Sequence, residues 1–135
     1  MTSSINNPCA RKVKFAGEVR TFNLNDPTVL GLIAGGMTAM MSGASAETHR
    51  RFALTPPLVG PNGDTPAACM RRFVESNYSV RDIENVIGLG LIGGGMSERT
   101  AWSMVDEHVV GQPLAANALI ASEVIGALFV GAESA

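Results

Sequence analysis

The sequence predicts a mainly α-helical, α+β fold, in which a small N-terminal β-hairpin precedes a compact helical domain of four to five helices. Two patterns indicate this class: a segment near the start alternates polar and apolar residues around a glycine, and later apolar runs follow helix-capping residues at helical spacing. Aromatic residues make up only 5% of the chain, so the core is expected to be mainly aliphatic. The 135 residues are enough for a single domain, which is expected to span residues 1–135.

Residues 11–25 are predicted to form the β-hairpin. Apolar residues alternate with lysines before Gly17, and a second alternating run follows it. Because an isolated two-stranded hairpin is only marginally stable in water, Phe15, Phe22 and Leu24 are expected to pack on helices.

A helix is predicted over residues 26–41. Asp26 can accept hydrogen bonds from the first free amides, and Pro27 is tolerated at the first helical position. The pair Gly35 and Gly36 weakens the helix, which either ends there or continues with reduced stability. Its predicted apolar stripe consists of Val29, Leu30, Ile33 and Met37.

A long loop is predicted over residues 42–66, where the chain carries four prolines and three glycines. It has room for one helical turn at residues 47–52. Loops of this length are uncommon in compact domains and are usually functional or mobile.

Residues 67–131 are predicted to form a helical region. Three of its helices are expected to begin after the cap residues Thr65, Ser79 and Ser97. A last helix is predicted from about residue 113 to residue 130, and Gly131 ends it.

Gly88, Gly90 and Gly93 spell G-x-G-x-x-G, a pattern that can bind the phosphates of a dinucleotide. Such a site needs a strand directly before the first glycine, whereas the residues before Gly88 have a helical period. We therefore interpret the glycines as structural. Gly88 and Gly90 are expected on a helix face that another helix backbone approaches. Gly93, Gly94 and Gly95 are expected to form a structural turn with positive φ.

The charge of the chain bears on its partners. The net charge is −2, charged residues make up 16%, and the basic residues form no stripe, so direct binding of nucleic acid is not expected. So few charges leave two explanations: much of the surface is small and neutral, or part of it is buried against other subunits. The second explanation predicts a homo-oligomer.

The compartment is predicted from the cysteines and from two terminal segments. Cys9 and Cys69 lack zinc-ligand spacing and are expected to be free thiols in a reducing compartment. The first fifteen residues lack the apolar run of a signal peptide. Residues 114–130 are apolar but contain Glu123 near their middle, which disfavours a membrane span.

The chain offers few groups for catalysis. His49 and His108 each stand alone in the sequence, and the acidic pair Asp106 and Glu107 is interpreted, with Glu123, as solvated helix faces and an interhelical contact. The sequence therefore predicts no enzyme, no cofactor and no metal site.

The order of these motifs resembles a family of small tail proteins from gene transfer agents and related long-tailed phages. Its members are tail assembly chaperones, and its names also describe tail tube proteins. The shared motifs are a Ser-x-x-Asp helix start, a GL-x-GGG turn, an Ala-containing helix, a G-x-P break and an Ala-rich last helix that ends in glycine. In this chain they correspond to Ser79 with Asp82, Gly90-Leu91 with Gly93-Gly94-Gly95, Ala101, Gly111 with Pro113, and the helix that ends at Gly131. The resemblance covers residues 78–131 well and the hairpin weakly, and the loop at 42–66 is longer than the family pattern.

The resemblance implies a non-enzymatic role in the cytoplasm of a bacterial host: binding the tape-measure protein and tail tube subunits during tail assembly. The alternative is a structural subunit, a tail tube or connector component, that is retained in the particle. A third interpretation is a small nucleotide-binding enzyme. The last helix offers more aliphatic surface than its own fold needs, so one of its faces is expected to bind a partner. The predicted partner-binding residues are Leu114, Leu119, Ile120, Val124 and Leu128.

Overall fold

The computed structural model describes residues 7–54, 56–60 and 63–131. Two antiparallel strands are followed by seven helices in this part of the chain, which confirms the mainly helical class with an N-terminal hairpin. The elements are β1 (Arg11–Phe15), β2 (Glu18–Phe22), α1 (Pro27–Ala34), α2 (Gly36–Met40), α3 (Ala46–Arg51), α4 (Pro66–Val74), α5 (Val80–Gly93), α6 (Glu98–His108) and α7 (Leu114–Val130).

The helices of the described residues outnumber the four to five that the sequence predicts, for two reasons. The helix predicted over residues 26–41 is two helices, because Gly35 and Gly36 have φ of 76° and 57° and interrupt the helical backbone. Helix α3 lies inside the predicted loop at 42–66, where Ser45 caps it by accepting a hydrogen bond from the Thr48 amide.

The break at Gly35 also changes the apolar stripe predicted for this region. Val29 and Ile33 are buried as expected, but Leu30 is partly exposed and Met37 is 70% exposed. No residue of α2 is buried. The predicted stripe is therefore wrong at Leu30 and Met37. Leu30 lies on the exposed side of α1, next to the buried Val29, and Met37 follows the break that ends α1.

The hairpin packs as the sequence predicts. Strand β1 pairs with β2 from Arg11↔Phe22 to Phe15↔Glu18, and Gly17 takes a positive φ of 86° in the turn. Phe15, Phe22 and Leu24 are all buried in the core. The rings of Phe15 and Phe22 meet edge to face with their centroids 6.0 Å apart.

Helix α5 lies at the centre of the fold, and its glycines are where other elements reach it. A Cβ at Gly88 would overlap the ring of Trp102 from α6. A Cβ at Gly90 would lie 3.0 Å from Val124 of α7 and 3.1 Å from the ring of Phe22. These neighbours are side chains, which corrects the expectation that another helix backbone approaches Gly88 and Gly90.

Gly93 at the end of α5 and Gly94 directly after it contact the backbone of β2 and of the residue that follows β2. A Cβ at Gly93 would overlap the carbonyl oxygen of Asn23, and one at Gly94 would overlap that of Thr21. The Asn23 amide donates a hydrogen bond of 2.9 Å to the Gly90 carbonyl.

The expectation of positive φ holds for only one glycine of the triplet. Gly95 has φ of 110°, whereas Gly94 has φ of −80° and Gly93 is the last residue of α5. Gly93 and Gly94 must be glycine because the hairpin backbone comes too close for a side chain. Only Gly95 must be glycine because of the positive φ of the turn.

We expect Gly93→Ala to destabilise the fold by about 1–3 kcal/mol or more, because backbone rather than a flexible side chain occupies the position of the new Cβ. Gly126→Ala in α7 is the matched control, since its Cβ would make an ordinary contact 3.9 Å from Met70. That control should be neutral or stabilising by about 0.5–1 kcal/mol through helix propensity. Urea unfolding of both variants measures the difference, and equal free energies of unfolding would contradict this packing.

Candidate interaction surfaces

The most chemically distinctive cluster of the described residues is a buried ion pair that joins α4 to α5. The Arg72 guanidinium donates from Nε and Nη2 to the two carboxylate oxygens of Asp82, each at 2.8 Å, and both side chains are fully buried. Asp82 also accepts from the Ser79 amide, which completes the capping box at the start of α5. The hydrogen bonds to Asp82 raise the pKa of Arg72, so the guanidinium stays charged.

The same guanidinium fixes the proline-rich segment that precedes α4. It donates to the carbonyl oxygens of Leu58 and Gly63, at 2.5 Å and 3.0 Å. Gly60 lies against it so closely that a Cβ there would be 2.5 Å from the guanidinium carbon. Sequence reasoning missed this role for Arg72. The available signal was its position, because Arg72 follows Cys69 by three residues and precedes Phe73 on the inward side of an amphipathic helix.

The ion pair does not form a reactive centre with the neighbouring thiol. Burial raises the pKa of Cys69 to about 12, and the charge of Asp82 adds to this effect. A thiol with so high a pKa stays protonated at neutral pH and is a weak nucleophile. The cluster is therefore structural, because its hydrogen bonds join α4, the start of α5 and the segment before α4.

A second cluster attaches α3 to α6. Glu98 accepts hydrogen bonds from the Ser45 amide at 2.8 Å and from the Thr48 hydroxyl at 2.6 Å. Thr48 in turn accepts from the indole N–H of Trp102 at 2.9 Å. Arg51 lies over the same indole, 4.3 Å from the ring centroid, and pairs with Asp106 at 3.2 Å.

The remaining groups that sequence analysis considered for chemistry are dispersed. Glu123 pairs with Arg11 at 2.7 Å, and His108 meets the ring of Phe15 edge to face. Cys9 and Cys69 are free thiols. Within residues 7–54, 56–60 and 63–131, no group of three or more His, Cys, Asp and Glu side chains is arranged to hold a metal ion. None of the helices described is long and apolar enough to cross a membrane.

The five residues predicted to bind a partner do not share one exposed face of α7. Leu119 is 68% exposed and Leu114 is also exposed, while Ile120 and Leu128 are half-buried. Val124 is only 1% exposed, because its side chain fills the space above Gly90. Val124 is therefore a core residue, and a partner surface on α7 has to be drawn without it.

Two other residues of α7 add to its exposed apolar area. Phe129 and Val130, which sequence analysis did not select, are about half exposed at the end of the helix. We call Leu114, Leu119, Phe129 and Val130 the α7 surface.

A separate apolar groove lies between α2 and the segment after α3. It encloses about 600 Å³, and its lining includes Leu32, Met37, Met40, Phe52, Leu54 and Pro57. We call it the methionine groove. Sequence analysis missed it because it assigned Met37 to the apolar stripe of a single helix over residues 26–41 and treated residues 42–66 as a loop.

A family model described as "Phage tail tube protein, GTA-gp10" matches residues 46–131, which is more than half of the chain. The matched part begins with α3 and includes all four later helices, so it contains the buried Arg72–Asp82 pair, every residue of the Glu98 cluster except Ser45, and the α7 surface. No curated protein and no solved structure matches the chain.

The Glu98 cluster gives an expected dependence of stability on pH. Burial raises the pKa of Glu98, but the hydrogen bonds from Thr48 and Ser45 outweigh it and lower the pKa below the ordinary 4.5. Because the folded-state pKa is the lower one, the contribution of Glu98 to the free energy of unfolding is complete above about pH 4.5 and is lost as the pH falls through the folded-state value.

Glu98→Gln should therefore be less stable than the wild type at neutral pH and should lose less stability on acidification. The control is Ser97→Ala, which removes the neutral cap of the same helix and should cost about 1 kcal/mol at every pH. Denaturant unfolding across a pH series checks this. Parallel pH curves for the wild type and Glu98→Gln would show that Glu98 makes no such contribution.

Proposed function

The chain belongs to the phage tail tube protein family GTA-gp10, and we propose that within a phage-type tail it acts as a tail assembly chaperone. In this role it binds the tape-measure protein and tail tube subunits in the cytoplasm of a bacterial host. It needs no cofactor and catalyses no reaction. The family membership supports the coarser statement, a structural or assembly role in a phage tail.

The observation that carries the proposal is the apolar area left uncovered. The α7 surface and the methionine groove both expose large apolar side chains, although the core is already complete around α5. Exposed apolar patches on a small protein mark interaction sites. Methionine is flexible and polarizable, so a groove lined by it can adapt to more than one apolar segment, as a chaperone requires.

The second candidate is a structural subunit, a tail tube or connector component, that stays in the particle. The name of the family, which is that of a phage tail tube protein, supports this candidate. The same apolar surfaces would then be covered permanently by neighbouring subunits. Both proposals include self-association of the chain. Only 16% of its residues are charged, which is the reason to expect part of its surface to be buried against other subunits.

Quantitative mass spectrometry of purified particles and of lysate during assembly separates the two roles. A chaperone should be present in the assembling lysate and absent from finished particles. A high and constant copy number in the particles would contradict the chaperone role and support the structural one.

We expect the α7 surface to bind the partner, and Leu119→Ser to weaken that binding without unfolding the chain. Leu119 is 68% exposed, and removing one aliphatic contact of roughly 1–3 kcal/mol should lower affinity at least about fivefold. The measurements are co-purification with the tape-measure protein and light scattering for self-association, beside a thermal melt.

Val19→Ser is the matched control, because Val19 is 67% exposed but lies on the hairpin. It should leave both measurements unchanged. If Leu119→Ser and Val19→Ser behave alike, the α7 surface is not the partner site.

A further inference from the structure

The break between α1 and α2 depends on two glycines that no neighbouring atom requires. Gly35 has φ of 76° and ψ of −177°, a conformation that is essentially confined to glycine, and Gly36 has φ of 57°. A Cβ at either position would meet no atom within 4 Å. Unlike the glycines of α5, this pair is therefore needed only for the direction in which the backbone turns.

Helix α2 is held in this direction by few contacts. None of its five residues is buried. It folds back towards α1 at Gly31, where a Cβ would lie 3.0 Å from the Cβ of Ser42. Two cavities adjoin it: the methionine groove, and a second cavity of about 420 Å³ beside Thr38 and Met41. The core thus does not fix the position of α2.

The sequence of α1 and α2 also fits one continuous helix. Val29 and Ile33 are buried on one side of α1. Met37 and Met40 follow Ile33 by four and seven residues, which is the spacing that continues this side along a straight helix. In such a helix the last carbonyls of α1 would accept hydrogen bonds from the first amides of α2, so the break would leave no open helix ends.

The connector from α2 to α3 leaves room for α2 to change direction. Glu98 holds the end of this connector by accepting a hydrogen bond from the Ser45 amide at 2.8 Å. The five residues 41–45 span about 17 Å when extended. Reversing a helix of five residues displaces its end by at most about 15 Å. Helix α3 can therefore keep its place while α2 moves.

We propose that Gly35 and Gly36 form a hinge between two conformations of residues 27–41: the bent form of this structure, and a straight form in which α1 and α2 are one helix. The bent form places Met37 and Met40 in the wall of the methionine groove. The straight form withdraws both from the groove and adds them to the apolar side of α1. The hinge thus controls whether the groove exists, and it does not depend on the role in tail assembly.

Energy transfer from Trp102, the single tryptophan of the chain, to a dansyl group at residue 40 reports on this hinge. In the bent form Met40 and Phe52 line the same groove, and the ring of Phe52 lies 5.7 Å from that of Trp102, so donor and acceptor are close. The labelled protein carries Met40→Cys, together with Cys9→Ser to remove the half-buried thiol. Cys69 is fully buried and stays unlabelled.

Gly35→Ala with Gly36→Ala should shift the equilibrium towards the straight form at least about tenfold. Alanine is strained at these positions in the bent form and favoured in a continuous helix. Energy transfer should fall, because residue 40 leaves the groove. Adding Met37→Pro should restore it, since proline is tolerated in the first turn of α2 but its ring would clash with the Ile33 carbonyl in a continuous helix.

Gly111→Ala is the matched control. Gly111 also has a positive φ, 79°, with no atom within 4 Å of a Cβ, but it lies between α6 and α7. This variant should melt at a lower temperature than the wild type without any change in energy transfer.

Two results would overturn the proposal. Unchanged energy transfer in the alanine double variant would make the glycine pair a rigid turn. A fall in transfer that Met37→Pro does not reverse would exclude the continuous helix. If the double variant does not fold, Gly36→Ala alone replaces it, since Ala16 shows that alanine tolerates φ of 55° in this fold. Unchanged transfer in that single variant would contradict the hinge equally.

Discussion

The absence of side chains at three positions of α5 and at Gly94, which directly follows it, is the constraint on which most of the tertiary structure depends. The hairpin backbone, Trp102 of α6 and Val124 of α7 each occupy space that a Cβ on this helix would fill. Each glycine costs about 1 kcal/mol of helix propensity relative to alanine. Burial of a ring the size of Trp102 or Phe22 contributes roughly 4–6 kcal/mol as an upper bound. The close approach therefore outweighs the loss of propensity, and α5 is stable as a helix because other elements cover it.

The two buried polar clusters have a different effect, which is to position segments that have little core of their own. A buried ion pair such as Arg72 with Asp82 adds little net stability, because desolvation of the charges cancels much of their attraction. The pair is directional, however, and the Arg72 guanidinium also binds two carbonyls of the segment before α4. Glu98 holds the start of α3 in the same way. The segment at 42–66 is thus held near both of its ends by polar side chains.

The sequence predicts best those features that depend on neighbouring residues. Capping residues, the hairpin and its buried phenylalanines follow from local patterns, and all of them are found in the structure. The reasons for glycine at Gly88, Gly90, Gly93 and Gly94 could not be predicted, since the atoms that exclude a Cβ there come from distant parts of the chain. Arg72 was missed for the same reason, because its partners lie 9 to 14 residues away across a turn. For α7, nearly every residue is apolar, so the pattern could not distinguish the side that faces α5 from the exposed side.

The structure resolves that ambiguity and separates the candidate binding surfaces. Once Val124 is assigned to the core, the exposed apolar residues of α7 lie towards its two ends, at Leu114 and Leu119 and again at Phe129 and Val130. The methionine groove is built from other elements, at a point where a glycine pair turns the chain so that α2 buries none of its residues. Because α2 packs none of its side chains into the core, its methionines stay exposed to solvent. Apolar residues that the fold does not bury thus remain at the α7 surface and at the methionine groove.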